Sequence, residues 1–129
     1  MEGRNLDHIC MLNIPSGNGR LNGLFSEFVA NIDCVDPCKK ACEIVALQKK
    51  EKLNKEKIGM ILNRSIQQMV FEPKKKYNLI WCNYGYSFLN SKEASDFLTK
   101  ARDQLLPDGF LIIKDVVTDS KEILLNTEE

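Results

Sequence analysis

The chain reads as an α/β protein built on a mostly parallel sheet of about five strands. Three observations predict this. Short apolar runs alternate with stretches of helical periodicity along most of the sequence. The run Tyr77-Asn78-Leu79-Ile80-Trp81-Cys82 has the near-continuous apolar character of a strand covered on both faces. A proline- and glycine-rich turn, Pro15-Ser16-Gly17-Asn18-Gly19, separates an apolar strand from the helical segment that follows.

In order along the chain, residues 8–14 form a first strand ended by the turn. Leu21, Leu24, Phe25 and Phe28 recur at helical spacing and predict a helix over 20–30. Ile32 to Val35 reads as a second strand. Asp36 caps the next helix, which has Pro37 in its first turn and runs towards Lys52. Ile58 to Leu62 is a third strand, followed by an irregular polar segment over 63–76. After the Trp81 strand, Ser91 caps a helix with apolar positions at Ala94, Phe97, Leu98, Ala101 and Leu105. Leu106-Pro107-Asp108-Gly109 is a turn, and Phe110 to Lys114 is a fifth strand. Ser120 to Asn126 has room for one or two helical turns.

At 129 residues the sequence is expected to form a single domain over 1–129. Its formal net charge is zero, so bulk electrostatics favour neither nucleic acid nor an anionic membrane as partner. The run Lys74-Lys75-Lys76 reads as a solvated loop. No apolar run has the length of a bilayer span, and the first residues lack a signal-peptide core. Cys10, Cys34, Cys38, Cys42 and Cys82 are odd in number and contain no CxxC pair. They read as small thiols in a reducing interior, cytoplasmic or nuclear, rather than as a disulfide framework or a metal site.

The glycine turn and Asp36 together suggest a nucleoside site. A glycine turn after the first strand lets backbone N–H groups approach a ligand, and a carboxylate at the end of the second strand can accept both ribose hydroxyls. The turn alone is weak evidence. The spacing GxGxxG is not met and no Gly-Lys-Ser/Thr follows, so the competing reading is a tight β–α connection and nothing more.

The segments Tyr77 to Tyr84 and Leu106-Pro107-Asp108-Gly109-Phe110-Leu111-Ile112-Ile113-Lys114-Asp115 resemble class I S-adenosylmethionine-dependent methyltransferases. More narrowly, the chain is similar to the alpha-N-terminal protein methyltransferases, which methylate the free α-amino group of proteins, usually ahead of Pro-Lys. That resemblance implies a Rossmann-like sheet and S-adenosylmethionine as cofactor. It implies that Gly17, Gly19 and Arg20 belong to the cofactor turn, with Arg20 on the methionine carboxylate. Asp36 would hold the ribose, Gln67 or Gln68 would contact the adenine region, and Asn83 would keep an amide contact to the cofactor. Tyr84 and Phe88 would fall on substrate-handling positions. Asp115 and Glu128 are the acids nominated for the catalytic step, and a protein N-terminus is the implied substrate.

The sequence departs from the family pattern at several points. Asn13 and Pro15 stand where an acid and a glycine are expected, Phe88 where a histidine is, and Val116 where an asparagine is. The family's C-terminal reversed hairpin has no counterpart, which would leave Phe110 to Lys114 as an open apolar edge for a partner chain or dimer. Two functions therefore remain open: a methyltransferase of protein N-terminal amines, or a truncated or non-catalytic methyltransferase-like domain that acts as a binding partner.

Overall fold

A computed structural model describes residues 8–67, 75–86 and 89–115. Its five strands are β1 (Cys10–Asn13), β2 (Asn31–Asp36), β3 (Ile58–Asn63), β4 (Tyr77–Asn83) and β5 (Leu105–Lys114). They form one sheet in the order β3-β2-β1-β4-β5, and every neighbouring pair is parallel. The predicted strands are all present, with ends shifted by a few residues. The helices are α1 (Asn22–Phe25), α2 (Lys39–Lys50) and α3 (Ser91–Gln104).

Side chains alternate across the sheet and build two cores. On one face Met11, Ile32, Cys34 and Ile58 pack with Phe25, Val29 and Val45 from the α1 and α2 segments. On the other face Leu12, Ile14, Val35, Tyr77, Ile80 and Cys82 pack beneath Phe97 and Ala101 of α3. Because β1 and β4 are covered on both faces, their sequences are apolar with little alternation.

The helix expected over 20–30 contracts to the four residues of α1. Gly23 weakens it, and the Ser26 hydroxyl donates to the Gly23 carbonyl at 2.6 Å, which competes with continued helix. Beyond that point Phe25 and Val29 are buried while Phe28 is exposed, so packing rather than helical periodicity fixes the segment. The cap of α3 is Asn90, not Ser91. Its side chain accepts from the Glu93 N–H at 2.8 Å, and the Glu93 carboxylate accepts from the Asn90 N–H at 2.9 Å.

The turn signal at 106–109 lies within β5 rather than before it. Leu105 pairs with Tyr77 and Phe110 with Leu79, so four residues bulge out against one of β4. The lysine run is not simply solvated. Lys75 turns inward and pairs with the fully buried Asp33 at 2.8 Å, and Lys76 donates to the Asp103 carbonyl. Asp33 also accepts from the Tyr77 hydroxyl at 2.7 Å, the Met60 N–H at 2.8 Å and the Asn31 amide at 2.9 Å. Gly59 makes room for this network, because a Cβ there would lie 2.4 Å from the Asp33 carboxylate.

Candidate functional site

The chain builds outward from β1 to β2 and β3, then returns to place β4 on the other side of β1. The crevice at the carboxyl ends of β1 and β4 is the switch point where open α/β sheets bind ligands. A cavity of about 330 Å³ lies there, lined by Asn13, Pro15, Ser16, Gly17, Asn18, Arg20, Leu21, Asp36 and Asn83.

The glycine turn forms the floor. The Ser16 N–H donates to the Val35 carbonyl at 2.9 Å and lays the turn across the end of β2. Gly17 and Gly19 have φ of +56° and +74°, conformations that favour glycine. At Gly17 a Cβ would meet nothing within 4 Å, so that backbone faces open space. At Gly19 a Cβ would lie 2.7 Å from the Asn22 amide and 2.8 Å from the Gln48 carbonyl oxygen. Gly17 thus faces the cavity, whereas Gly19 does not line it and instead lets the turn sit tightly on α1 and α2. Gln48 of α2 steadies the turn by donating to the Asn18 carbonyl at 3.1 Å.

Asp36 ends β2 with its carboxylate turned towards the glycine turn. One oxygen accepts from the Gly17 N–H at 2.7 Å and the other from the Cys38 N–H at 2.8 Å. It therefore shapes both the turn and the entry to α2, whose own N-cap is Cys38. Each carboxylate oxygen keeps acceptor capacity for a further donor.

Asn13 is buried at the end of β1 and donates to the Asn22 carbonyl oxygen at 3.0 Å, and Asn22 in turn donates to the Cys34 sulfur at 3.5 Å. Burial and the neighbouring Asp33 charge push the Cys34 thiol up to about 12, although the Asn22 bond opposes this. A neutral, hydrogen-bonded amide and thiol thus stand beneath the turn. Across the crevice, the buried Asn83 Oδ1 has no hydrogen-bond partner among the described residues. A buried, unsatisfied acceptor on a cavity wall is a place for a ligand donor. The Pro15 ring packs against Gly85, where a Cβ would lie 2.6 Å from Pro15 Cδ, so the loops after β1 and β4 close directly on one another.

Of the residues singled out in the sequence, Gly17, Arg20, Asp36 and Asn83 meet around this cavity, with Gly19 behind it. Gln67 is exposed in the loop after β3 and does not line the cavity. Tyr84 is exposed at the end of β4 in a left-handed conformation with φ of +58°, held by its N–H donating to the Lys114 carbonyl at 2.7 Å. The Lys114 ammonium lies 5.6 Å from the Tyr84 ring centroid. Asp115 is partly buried just beyond β5, near enough to Cys82 that burial first and the Asp115 charge second push that thiol up to about 11. Gln68, Phe88, Val116 and Glu128 lie outside the described residues. Sequence reasoning missed Asn22, Gln48 and Gly85. The close spacing of Gly19 and Asn22 was the one available signal. Gln48 and Gly85 act only through tertiary contact.

Among the described residues no group of three or more His, Cys, Asp or Glu side chains could hold a metal ion. No helix among them is long and apolar enough to cross a membrane.

Comparison with known proteins gives a consistent result. The model of a family described as AdoMet dependent proline di-methyltransferase matches residues 1–129. A relative from Danio rerio, N-terminal Xaa-Pro-Lys N-methyltransferase 2, is 40% identical over 48 residues, which is 37% of this chain and 17% of the relative. Alpha N-terminal protein methyltransferase 1 of Drosophila melanogaster is 30% identical over 66 residues, 51% of this chain and 23% of its own length. A solved SAM-dependent methyltransferase from Leishmania major superposes with a TM-score of 0.76 at 22% identity, over 92% of this chain and 46% of its own. The chain thus spans less than half the length of each of these proteins.

Proposed function

Because the chain belongs to the AdoMet dependent proline di-methyltransferase family, we propose that it binds S-adenosylmethionine in the switch-point cavity and methylates α-amino groups at protein N-termini. The observation that carries this reading is the convergence of Gly17, Arg20, Asp36 and the unsatisfied Asn83 Oδ1 on one cavity. Arg20 would take the carboxylate end of the ligand and Asp36 the ribose hydroxyls. The backbone around Gly17 would admit close approach, and Asn83 Oδ1 would accept a hydrogen bond from a ligand donor. Two relatives named for N-terminal methylation support the substrate class.

When bound, the cofactor would supply an electrophilic methyl group on a sulfonium, with a thioether as its leaving group, and the amine would exchange a proton for that methyl. This chain's task is alignment, since an in-line displacement gains most from holding the reacting atoms about 3 Å apart. The amine must be neutral to attack, and a free α-amino group with a pKa near 8 is partly neutral at pH 7. Asp115 is the described acid proposed to hold the amine and take up its proton. Tyr84 is proposed to shape the substrate entrance, and the edge of β5 that is unpaired among the described residues to accept a further polypeptide strand.

Calorimetry with S-adenosylmethionine and its demethylated product tests the cavity, and label transfer to peptides beginning Xaa-Pro-Lys tests the activity. Heat with both ligands and label on the peptide is expected. Binding without transfer would favour the alternative of a non-catalytic binding domain. That reading draws on Pro15, whose ring occupies the turn and removes one backbone donor. Absence of heat with either ligand would refute the cavity assignment.

A further inference from the structure

The chain changes neighbours at Pro15. The Ile14 N–H donates to the Trp81 carbonyl of β4 at 2.9 Å, and the Ser16 N–H donates to the Val35 carbonyl of β2 at 2.9 Å. Pro15, between them, has no N–H to place, and its ring packs on the loop after β4. A Cβ on Gly85 would lie 2.6 Å from Pro15 Cδ, 2.9 Å from Pro15 Cγ and 3.0 Å from Ile66 Cδ1. Gly85 is buried and its φ is not positive, so the lack of space beside the ring, and not the backbone, calls for glycine there. The same loop is fastened on other sides. The Tyr84 N–H bonds the Lys114 carbonyl, and the Tyr86 ring packs on Phe97 of α3 with centroids 6.2 Å apart. Beside this contact Pro15, after β1, and Asn83, at the end of β4, line the same cavity.

We propose that Pro15 and Gly85 are a matched pair of positioning residues: the proline ring takes the place of a side chain at 85, and the contact sets Asn83 and Tyr84 against the glycine turn. This rests on reading the cavity as an S-adenosylmethionine site. The pyrrolidine ring is closed onto its own backbone nitrogen, so Cγ and Cδ cannot swing aside as the end of a free side chain can. A methyl group added at 85 must therefore move backbone, either the turn that carries Gly17 or the segment that carries Asn83. Asn83 lies two residues before Gly85, and its unsatisfied Oδ1 serves a ligand donor only at hydrogen-bond distance. Taking the ring away removes the two contacts that cannot yield. The contact that stays is with Ile66 Cδ1, the end of a rotatable side chain that can give. A change at either position should thus harm the cavity, and the two changes together should largely cancel.

Calorimetry of the full chain with S-adenosylmethionine reads the pair as a double-mutant cycle. Gly85→Ala should weaken binding about tenfold at unchanged stoichiometry, because every folded molecule carries the displaced wall. Pro15→Gly alone leaves the loop unpinned and should weaken binding about threefold. The two together should return the affinity to within about threefold of wild type, where independent effects would give a loss of roughly thirtyfold. Ile66→Val combined with Gly85→Ala should not rescue binding. If Gly85→Ala alone fails to fold, the paired variant is still expected to fold and bind. Additive single effects overturn the proposal. So does a Gly85→Ala chain that loses stoichiometry but keeps the wild-type affinity, which is the mark of a merely structural contact. Equal rescue by Ile66→Val overturns it as well, and so does tighter binding by Pro15→Gly, the sign expected if the ring only obstructs the turn. A wild-type chain that gives no heat refutes the cavity assignment and this role with it, whereas additive effects on a wild type that binds refute the pair alone.

Discussion

Asp36 and Asp33 stand three residues apart on one strand and do different work. Asp36 faces the cavity rim and organises the glycine turn through the Gly17 N–H. Asp36→Ala should abolish measurable S-adenosylmethionine binding by calorimetry or weaken it at least tenfold, whereas exposed Lys92→Ala on α3 should leave it unchanged. Gly19→Ala should also weaken binding and lower stability by about 1–3 kcal/mol, since it strains a positive-φ residue and drives a methyl group into Asn22 and Gln48. Asp33 is fully buried. Burial pushes its carboxyl upward, but bonds from Lys75, Tyr77, Asn31 and Met60 outweigh that and leave it below the usual carboxylate range. A depressed folded pKa gives stability that is present above the unfolded value of about 3.9 and is lost as pH falls through the folded value. Asp33→Ala should cost roughly 1–3 kcal/mol in urea denaturation at neutral pH, because it leaves the buried Tyr77 hydroxyl and the Met60 N–H without their acceptor. Acid titration of the same variant should lose part of the wild-type slope below about pH 4. The thiols sort by burial: Cys38 is exposed, Cys10 is half-buried, and the remaining three are buried. A thiol reagent should therefore label Cys38 first and reach Cys34, Cys42 and Cys82 only on unfolding.

At the level of elements, the sequence was legible wherever a local rule operated. The parallel strands announced themselves as apolar runs, and Asn90–Glu93 carries a capping signature one residue ahead of the expected cap. Asn90→Ala should destabilise the protein by about 1 kcal/mol, read as a fall in thermal midpoint, while Ser91→Ala should have little effect. Three features were not legible because tertiary structure decided them. The segment after Gly19 has helical spacing yet bends away, since Ser26 bonds back to Gly23 and Val29 is needed in the core. Lys75 looked like one of three solvated lysines until the fold placed a buried carboxylate within its reach. The turn at 106–109 was recognised as irregular, but only the pairing of Leu105 with Tyr77 shows that the strand resumes around it. At the cavity, Gly17 and Asp36 could be named from the sequence because they lie just after or at the end of a strand, whereas Arg20 and Asn83 were implied by the family resemblance. Gln67 also follows a strand but lies outside the cavity, so position after a strand is a necessary cue and not a sufficient one.

For the molecule as a whole, the strand order divides the sheet into two halves, β1 to β3 and β4 with β5, that meet along one seam. Near the start of β4 that seam is latched by the Asp33–Tyr77 bond, which reaches from β2 past β1. At the finishing ends it is closed by Pro15 against Gly85, and there the cavity takes Asn13 and Asp36 from one half and Asn83 from the other. A ligand seated in the cavity thus acts as a rivet through both plates. Acid loosens the far latch by protonating Asp33, while the rivet holds the near end, so a saturating ligand should shift the midpoint of acid unfolding to lower pH.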